Sequence, residues 1–385
     1  MDEPFDLPPD VLRRVPLFAE LQKVLAWSGG PVNWELARQI AVPIAAGERG
    51  APPVSEADHH ELAELVRLAE LWLSEEAALP SPPVSEVRAA TPVDWAEDAT
   101  RSLAELIDPV AAKVSGALRD QTAEMPGDAQ ASMLAQALGQ LGPMFTGIQT
   151  GMIIGQLARD VTGSHETMLP AGEGPMLLVL PTIDAVAREY ELEVRQVRLW
   201  VALRAAAHRM VFDAQPFARA GFFSRYHAYV ASLSFDLAEG LRRLEGIDLS
   251  DPKRLQDALG EDGLFAHLSS PQGRAAAAGI GRFLAMVDSH AELACLAAAD
   301  RAGGLARVAE AFARRNVGEG RGARMLAGFI GIEPHHDRKA VRAFLDGVRG
   351  ARGWEAVTHL WEEPDGFPSD EELVEPAQWL DRVMR

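Results

Sequence analysis

Leu199-Trp200-Val201-Ala202-Leu203-Arg204-Ala205-Ala206-Ala207-His208 decides how the rest of the chain is read. The run is rich in Ala and Leu and contains neither Gly nor Pro. Glu191 to Phe212 is therefore expected to form one helix, with Trp200, Arg204, His208 and Val211 on one side. Residues four apart on a helix are surface neighbours, so Arg204 and His208 stand one turn apart on a shared face.

That spacing is the spacing of a zinc helix. In H-E-x-x-H, two His one turn apart hold Zn²⁺ and the Glu is the general base for the attacking water. Laid on this pattern, Arg204 stands at the first ligand, Ala205 at the base and His208 at the second ligand. Further stretches give the match its context. They are Asn33-Trp34-Glu35-Leu36-Ala37-Arg38, Leu68-Ala69-Glu70-Leu71-Trp72-Leu73, and the run from Asp94-Trp95 to Asp108-Pro109-Val110-Ala111. Then come a glycine-bearing helix over Gly151 to Leu157, an apolar strand over Met176 to Leu180, and Pro216-Phe217-Ala218-Arg219. The C-terminal pieces are Ala313-Arg314-Arg315, Gly328-Phe329-Ile330-Gly331-Ile332, Trp361-Glu362-Glu363-Pro364 and Pro376-Ala377-Gln378-Trp379-Leu380.

In this order along nearly the whole chain, these stretches resemble an actinobacterial zincin-like metallopeptidase family, described as hydrolases or zinc-dependent metallopeptidases. The family has been associated with deazaflavin-coenzyme biosynthesis, a link that none of these residues tests. The resemblance implies a mainly α, zincin-like helical fold with a small, short-stranded β element beside the former metal helix. It implies an N-terminal helical lobe over 1–170 and a zincin-like lobe over 171–385, joined in one integrated unit. It also implies a third ligand from a later helix, in a pattern like E-G-Y-x-[DE]-H-V. Asp288-Ser289-His290-Ala291-Glu292 matches that segment and puts Asp288 at the acidic position.

The residues present at these positions work against hydrolysis. Arg204 is a permanent cation and opposes Zn²⁺. His208 and Asp288 leave two ligands where a catalytic zinc takes three and a water. Ala205 cannot accept a proton, and loss of a general base costs roughly 10²–10⁴-fold. The expectation is a degenerate site with no catalytic residue, no zinc, and an ion pair between Arg204 and Asp288. Tyr226 and His227, with His290 and Glu292 beside Asp288, are candidates to line the former substrate cleft. Two functions compete. One is a pseudoenzyme that binds a protein or peptide, a paralogue among the candidates. The other is a hydrolase with a reconfigured active site around His208.

Composition narrows the classes. The chain has 385 residues, 48% hydrophobic and 24% charged, as expected of a globular protein. Its 37 basic and 56 acidic residues give a formal charge of −19, against the basic footprint of a nucleic-acid binder. Cys295 is the single cysteine, so no internal disulfide exists, and its Ala/Leu surroundings predict a buried, inert thiol. Met1-Asp2-Glu3-Pro4 carries no signal-peptide pattern, and no apolar run reaches the ~20 residues of a membrane span. A cytoplasmic protein is expected.

Local signals set the element boundaries. Ser55 with Asp58, and Thr91-Pro92-Val93-Asp94, mark helix starts. A helix is expected to continue from Asp98 to Leu118 and close before Met125-Pro126-Gly127-Asp128. Pro80-Ser81-Pro82-Pro83 and residues 260–268 read as loops, and residues 4–9 as poorly ordered. Gly147, Gly151 and Gly155 share a helix face and predict a close helix–helix approach. Met176 to Leu180 is a strand whose edge is expected to accept peptide by strand addition. Ser269-Ser270-Pro271 starts the helix bearing Asp288. Asp58-His59-His60 reads as the first turn of a capped helix, and His335-His336-Asp337 as a solvated turn. The tail from Trp354 is expected to be extended around Pro364 and Pro368, with a short helix from Glu375.

Overall fold

The computed structural model describes residues 29–384 apart from 49, 82–85, 125–128, 171–173, 235–269, 316–320 and 335. Within these, α1 (Trp34–Ala46) is capped by the Asn33 side chain. The Ser55 hydroxyl accepts from the Asp58 amide while the Asp58 carboxylate accepts from the Ser55 amide, so α2 (Glu56–Ala77) opens on a full capping box. After β1 (Val87–Ala90), Thr91 and Asp94 repeat that arrangement for α3 (Pro92–Ser102). The single helix expected over Asp98 to Leu118 is interrupted. Buried Leu103, at ψ −8°, leaves the helical path, and α4 (Ala104–Glu124) starts after it.

The three glycines of α5 (Ala129–Asp160) do what their spacing predicts. A Cβ on Gly147 would stand 2.6 Å from the Asn33 carbonyl oxygen, and one on Gly151 2.6 Å from that of Ala37. One on Gly155 would meet the Ile44 Cβ at 2.6 Å. The helix therefore lies directly against the backbone of α1 along its length.

A 3₁₀ turn, Ser164–Thr167, leads to β2 (Met176–Val179), which pairs in parallel with β1 from Val87↔Met176 to Ala90↔Val179. Neither edge of this small sheet is open. On the far side of β2, Gly163 bridges Leu178, and the Val179 amide donates to the Thr162 carbonyl at 2.8 Å. On the far side of β1, the Ala89 amide donates to Nδ1 of His59 at 3.1 Å. At the β2 edge expected to accept peptide, Leu178 and Val179 are already engaged by Gly163 and Thr162.

The rest is helical: α6 (Leu180–Glu189), α7 (Val194–Ala214), α8 (Ala218–Ser232), and α9 (Pro271–Ala302), which Ser270 caps. Then follow α10 (Leu305–Arg315), α11 (Arg321–Ile330) and α12 (Arg338–Arg352). The tail is more helical than expected. It forms α13 (Trp354–Thr358), two 3₁₀ turns, α14 (Asp370–Val374) and α15 (Pro376–Val383), because Ser369 and Glu372 build a further capping box. The expectations for residues 4–9, 82–83, 125–128 and 260–268 lie outside the described residues.

Helix α7 is the axis of the fold. It packs against α2, α6, α9 and α10 and is buried around most of its circumference, not on one side alone. One continuous apolar core surrounds it, joining Trp200 and Phe212 to Phe222, Phe283, Trp361 and Trp379. No helix among the described residues is long and apolar enough to cross a membrane.

Candidate functional site

Because α7 is central, any polar side chain on it must find a partner inside the protein or carry a desolvation penalty. Arg204 finds one. Its guanidinium donates to Oδ1 of Asp288, which α9 carries across α7. The other carboxylate oxygen lies 3.1 Å from the Arg338 guanidinium on α12, close enough for an ion pair but not aligned as a hydrogen bond. Burial would raise the Asp288 pKa, but the two guanidinium groups outweigh it and hold it at about 2. For Arg204, burial opposes the charge, but the groups around it, Asp288 foremost, together outweigh burial and raise its pKa, so the guanidinium stays protonated.

The ion pair continues outward as a ladder. Arg338 reaches Glu292 at 3.2 Å, Glu292 reaches Arg342 at 2.9 Å, and Arg342 reaches Asp346 at 3.2 Å. Glu292 lies one turn after Asp288 on α9 and Arg342 one turn after Arg338 on α12, so two helical periods set the rungs.

His208 lies beside this pair, buried, with its ring 5.0 Å from that of Phe212. The Met168 backbone lies beside the ring, and Nε2 is buried with no hydrogen-bond partner. Met168 sits at φ 57°, in the left-handed region, where the 3₁₀ turn ends. Burial moves the His208 pKa down to about 4; Asp288 opposes the shift and Arg204 adds to it.

A second imidazole joins the site that the sequence did not single out. His165, on the 3₁₀ turn, lies within electrostatic reach of Arg204, His208 and Asp288, and its Nδ1 is buried without a partner. Burial, then Arg204 and His208, push its pKa well below the ordinary value. The next residue, Glu166, anchors the turn by accepting from the Thr162 amide and pairing with Arg315 of α10 at 3.3 Å. Only the polarity of Ser164-His165-Glu166-Thr167 ahead of an apolar strand could have signalled this segment.

The four candidate cleft residues do not gather. Glu292 stays by Asp288, in the ladder. His290 turns away, because two residues on a helix rotate by about 200°. It accepts from the Trp361 indole at 2.9 Å, stacks on Trp354 and Trp361, and burial moves its pKa to about 4. Tyr226 is buried and donates to the Leu106 carbonyl, which makes it part of the core. His227 is exposed on α8 beside Phe223. Cys295 is buried, two turns past Asp288, and burial pushes its thiol up to about 12. Asp58 caps α2. Asp337 sits at φ 59° and pairs with Arg282 at 2.8 Å; His335 is outside the described residues.

The donor set does not fit a catalytic zinc. A cation stands where the first His would be and holds the carboxylate that would be the third ligand. Among the described residues, no three His, Cys, Asp or Glu side chains are grouped to hold a metal ion. Ala205 brings no base. One turn beyond His208, across Phe212, an open recess of about 690 Å³ is lined by Glu105, Asp213, Gln215, Arg219 and Phe223, among others.

Comparison with known proteins agrees with this architecture. The model of the zincin-like metallopeptidase family matches residues 32–380. A crystal structure from Chloroflexus aurantiacus, described as a "putative hydrolase with a novel fold", superposes with a TM-score of 0.64. It is 20% identical, and the match covers 92% of this chain and 99% of that one, which shows a shared fold. No curated protein matches the sequence. With its helical frame, its central α7 and a family match along almost its whole length, the chain belongs to the zincin-like metallopeptidase family.

Proposed function

We propose that this protein is a non-catalytic member of its family that acts without zinc, by binding a protein or peptide partner. The observation that carries this reading is the Arg204–Asp288 ion pair. It sets a guanidinium at the first ligand position and ties up the carboxylate at the third, while Ala205 stands in place of the base. Hydrolysis of the H-E-x-x-H type needs all three.

The test is zinc content by elemental analysis of protein purified without chelator or added metal, beside a His208→Ala variant. Near-zero zinc in both, with no cleavage of a peptide library, is expected. Stoichiometric zinc that disappears in His208→Ala would overturn the proposal. A second reading, a hydrolase rebuilt around His208, has one observation on its side: Nε2 of His208 is buried with no hydrogen-bond partner. Peptide or ester cleavage abolished by His208→Ala would establish it.

A further inference from the structure

Arg225 stands two turns into α8, where three parts of the chain converge. Its guanidinium carbon lies 4.9 Å from the centre of the Phe283 ring of α9, 4.9 Å from that of Phe367 in the tail and 5.9 Å from that of Phe217 ahead of α8. Phe283 and Phe367 stack on each other at 5.4 Å, so the guanidinium lies against an aromatic wall. Nη1 donates to the Gly221 carbonyl, one turn back, at 3.1 Å. The rings and the carbonyl together hold the group in place.

Among the described residues, no carboxylate pairs with Arg225, and its Nε and Nη2 reach the surface without a hydrogen-bond partner. Two other arginines show what that edge of a guanidinium does in this chain. Arg198 gives Nε and Nη2 to the two oxygens of Asp184 at 3.1 and 2.9 Å, and Arg382 gives them to Glu372 at 2.6 and 2.9 Å. Their carboxylates raise the pKa of both, whereas burial moves that of Arg225 down. Packing does not call for a charge at this corner. Met or Leu would cover the same rings without the cost of withdrawing a cation from water.

We propose that Arg225 is a binding site for a carboxylate, taken side-on by Nε and Nη2 while Phe283 and Phe367 back the guanidinium. The charge sets the class of ligand. One guanidinium carries one positive charge, and a carboxylate carries one negative charge on two oxygens that match the fork. A phosphate dianion would leave part of its charge uncompensated beside three phenyl rings. Because the rings already hold the guanidinium, less side-chain freedom is lost when the ligand arrives. A small acid and the end of a peptide offer the same group. The site shares no residue with the Arg204–Asp288 pair and does not depend on the zinc-free reading.

Nuclear magnetic resonance of the full chain, labelled with ¹⁵N and ¹³C, tests it through the Nε–H signal of Arg225. That signal is identified by through-bond connection to its own backbone amide and by its loss in Arg225→Lys. The probes are sodium acetate, N-acetyl-alanyl-alanine as the free acid and as the amide, sodium phosphate, and sodium chloride at matched ionic strength. A saturable shift with acetate and with the peptide acid, absent with the peptide amide and with chloride, is expected. Tighter binding of the peptide acid than of acetate supports a peptide end as the source, and equal binding supports a small acid. No saturable shift with either acid, or the same shift with chloride, would overturn the inference. Tighter binding of phosphate than of acetate would overturn it as well.

Discussion

The Arg204 guanidinium of α7 grips the Asp288 carboxylate of α9, so the two helices are joined by a charge pair deep in the fold. Both groups are largely withdrawn from water; removing Asp288 leaves Arg204 as an uncompensated buried charge, and removing Arg204 leaves the buried Asp288 with Arg338 alone. Arg204→Ala and Asp288→Ala are each expected to lower unfolding free energy by about 3–5 kcal/mol. Arg204→Met combined with Asp288→Leu is expected to recover most of that loss, because both charges leave together. Chemical denaturation of the two single variants and the paired replacement checks this. Additive losses would mean that the two residues do not depend on one another.

Acid should unfold the protein in two stages. His208 and His290 both sit at about 4 against an ordinary 6.5, held down mainly by burial. A depressed histidine favours the fold while neutral. Its contribution is complete above pH 6.5 and is lost as the pH falls from there to about 4. Each is worth on the order of 3 kcal/mol. Asp288, at about 2 against 3.8, contributes in full above pH 3.8, and that contribution drains away only as the pH falls toward 2. His290→Asn keeps an acceptor near the Trp361 indole and removes one titrating ring. Its stability curve between pH 6.5 and 4 should be flatter than the parent's, read from urea midpoints across that range.

Which of these features a sequence can announce depends on whether the signal is local. The capping boxes at Ser55 and Thr91, the strand at Met176 and the glycine stripe of α5 are written in a few adjacent residues. So are the two ligand positions one turn apart on α7. Val87-Arg88-Ala89-Ala90 carries no alternation, and only its pairing with β2 makes it a strand. His165, Arg338 and Arg342 reach the site from a turn and a helix far along the chain. Tyr226 and His290 have the chemistry of cleft residues but are turned into the core, which the residue type alone does not reveal.

The glycine stripe makes a prediction that separates packing from helix propensity. Gly151→Ala brings a methyl within 2.6 Å of the Ala37 carbonyl oxygen and 2.9 Å of the Ile40 Cβ. Neither atom is the end of a flexible side chain, so α1 and α5 must move apart, at about 1–3 kcal/mol. Gly116 in α4 has no heavy atom within 4 Å of the same position, and Gly116→Ala should stabilise by about 0.5–1 kcal/mol. Opposite signs in thermal melts of the two variants are expected. Two shifts of the same sign would mean that the α1–α5 contact is not what the glycines serve.

The proposed loss of zinc predicts which changes would create a metal site. His208 already has a buried Nε2 without a hydrogen-bond partner. Asp288 is already at the third position and is held by Arg204. Arg204→His combined with Ala205→Glu therefore supplies a ligand and a base and frees Oδ1 of Asp288, while Oδ2 stays beside Arg338. The double variant is expected to take up about one zinc per chain, as three protein ligands suffice for a catalytic site. Ala205→Glu alone should take up none, because the guanidinium remains. Circular dichroism establishes that both are folded, and elemental analysis after dialysis against zinc reads the outcome. Zinc in the single variant would show that Arg204 does not block the site. A folded double variant without zinc would show that the α7–α9 geometry has drifted too far from the tetrahedral arrangement for these two changes to recover it.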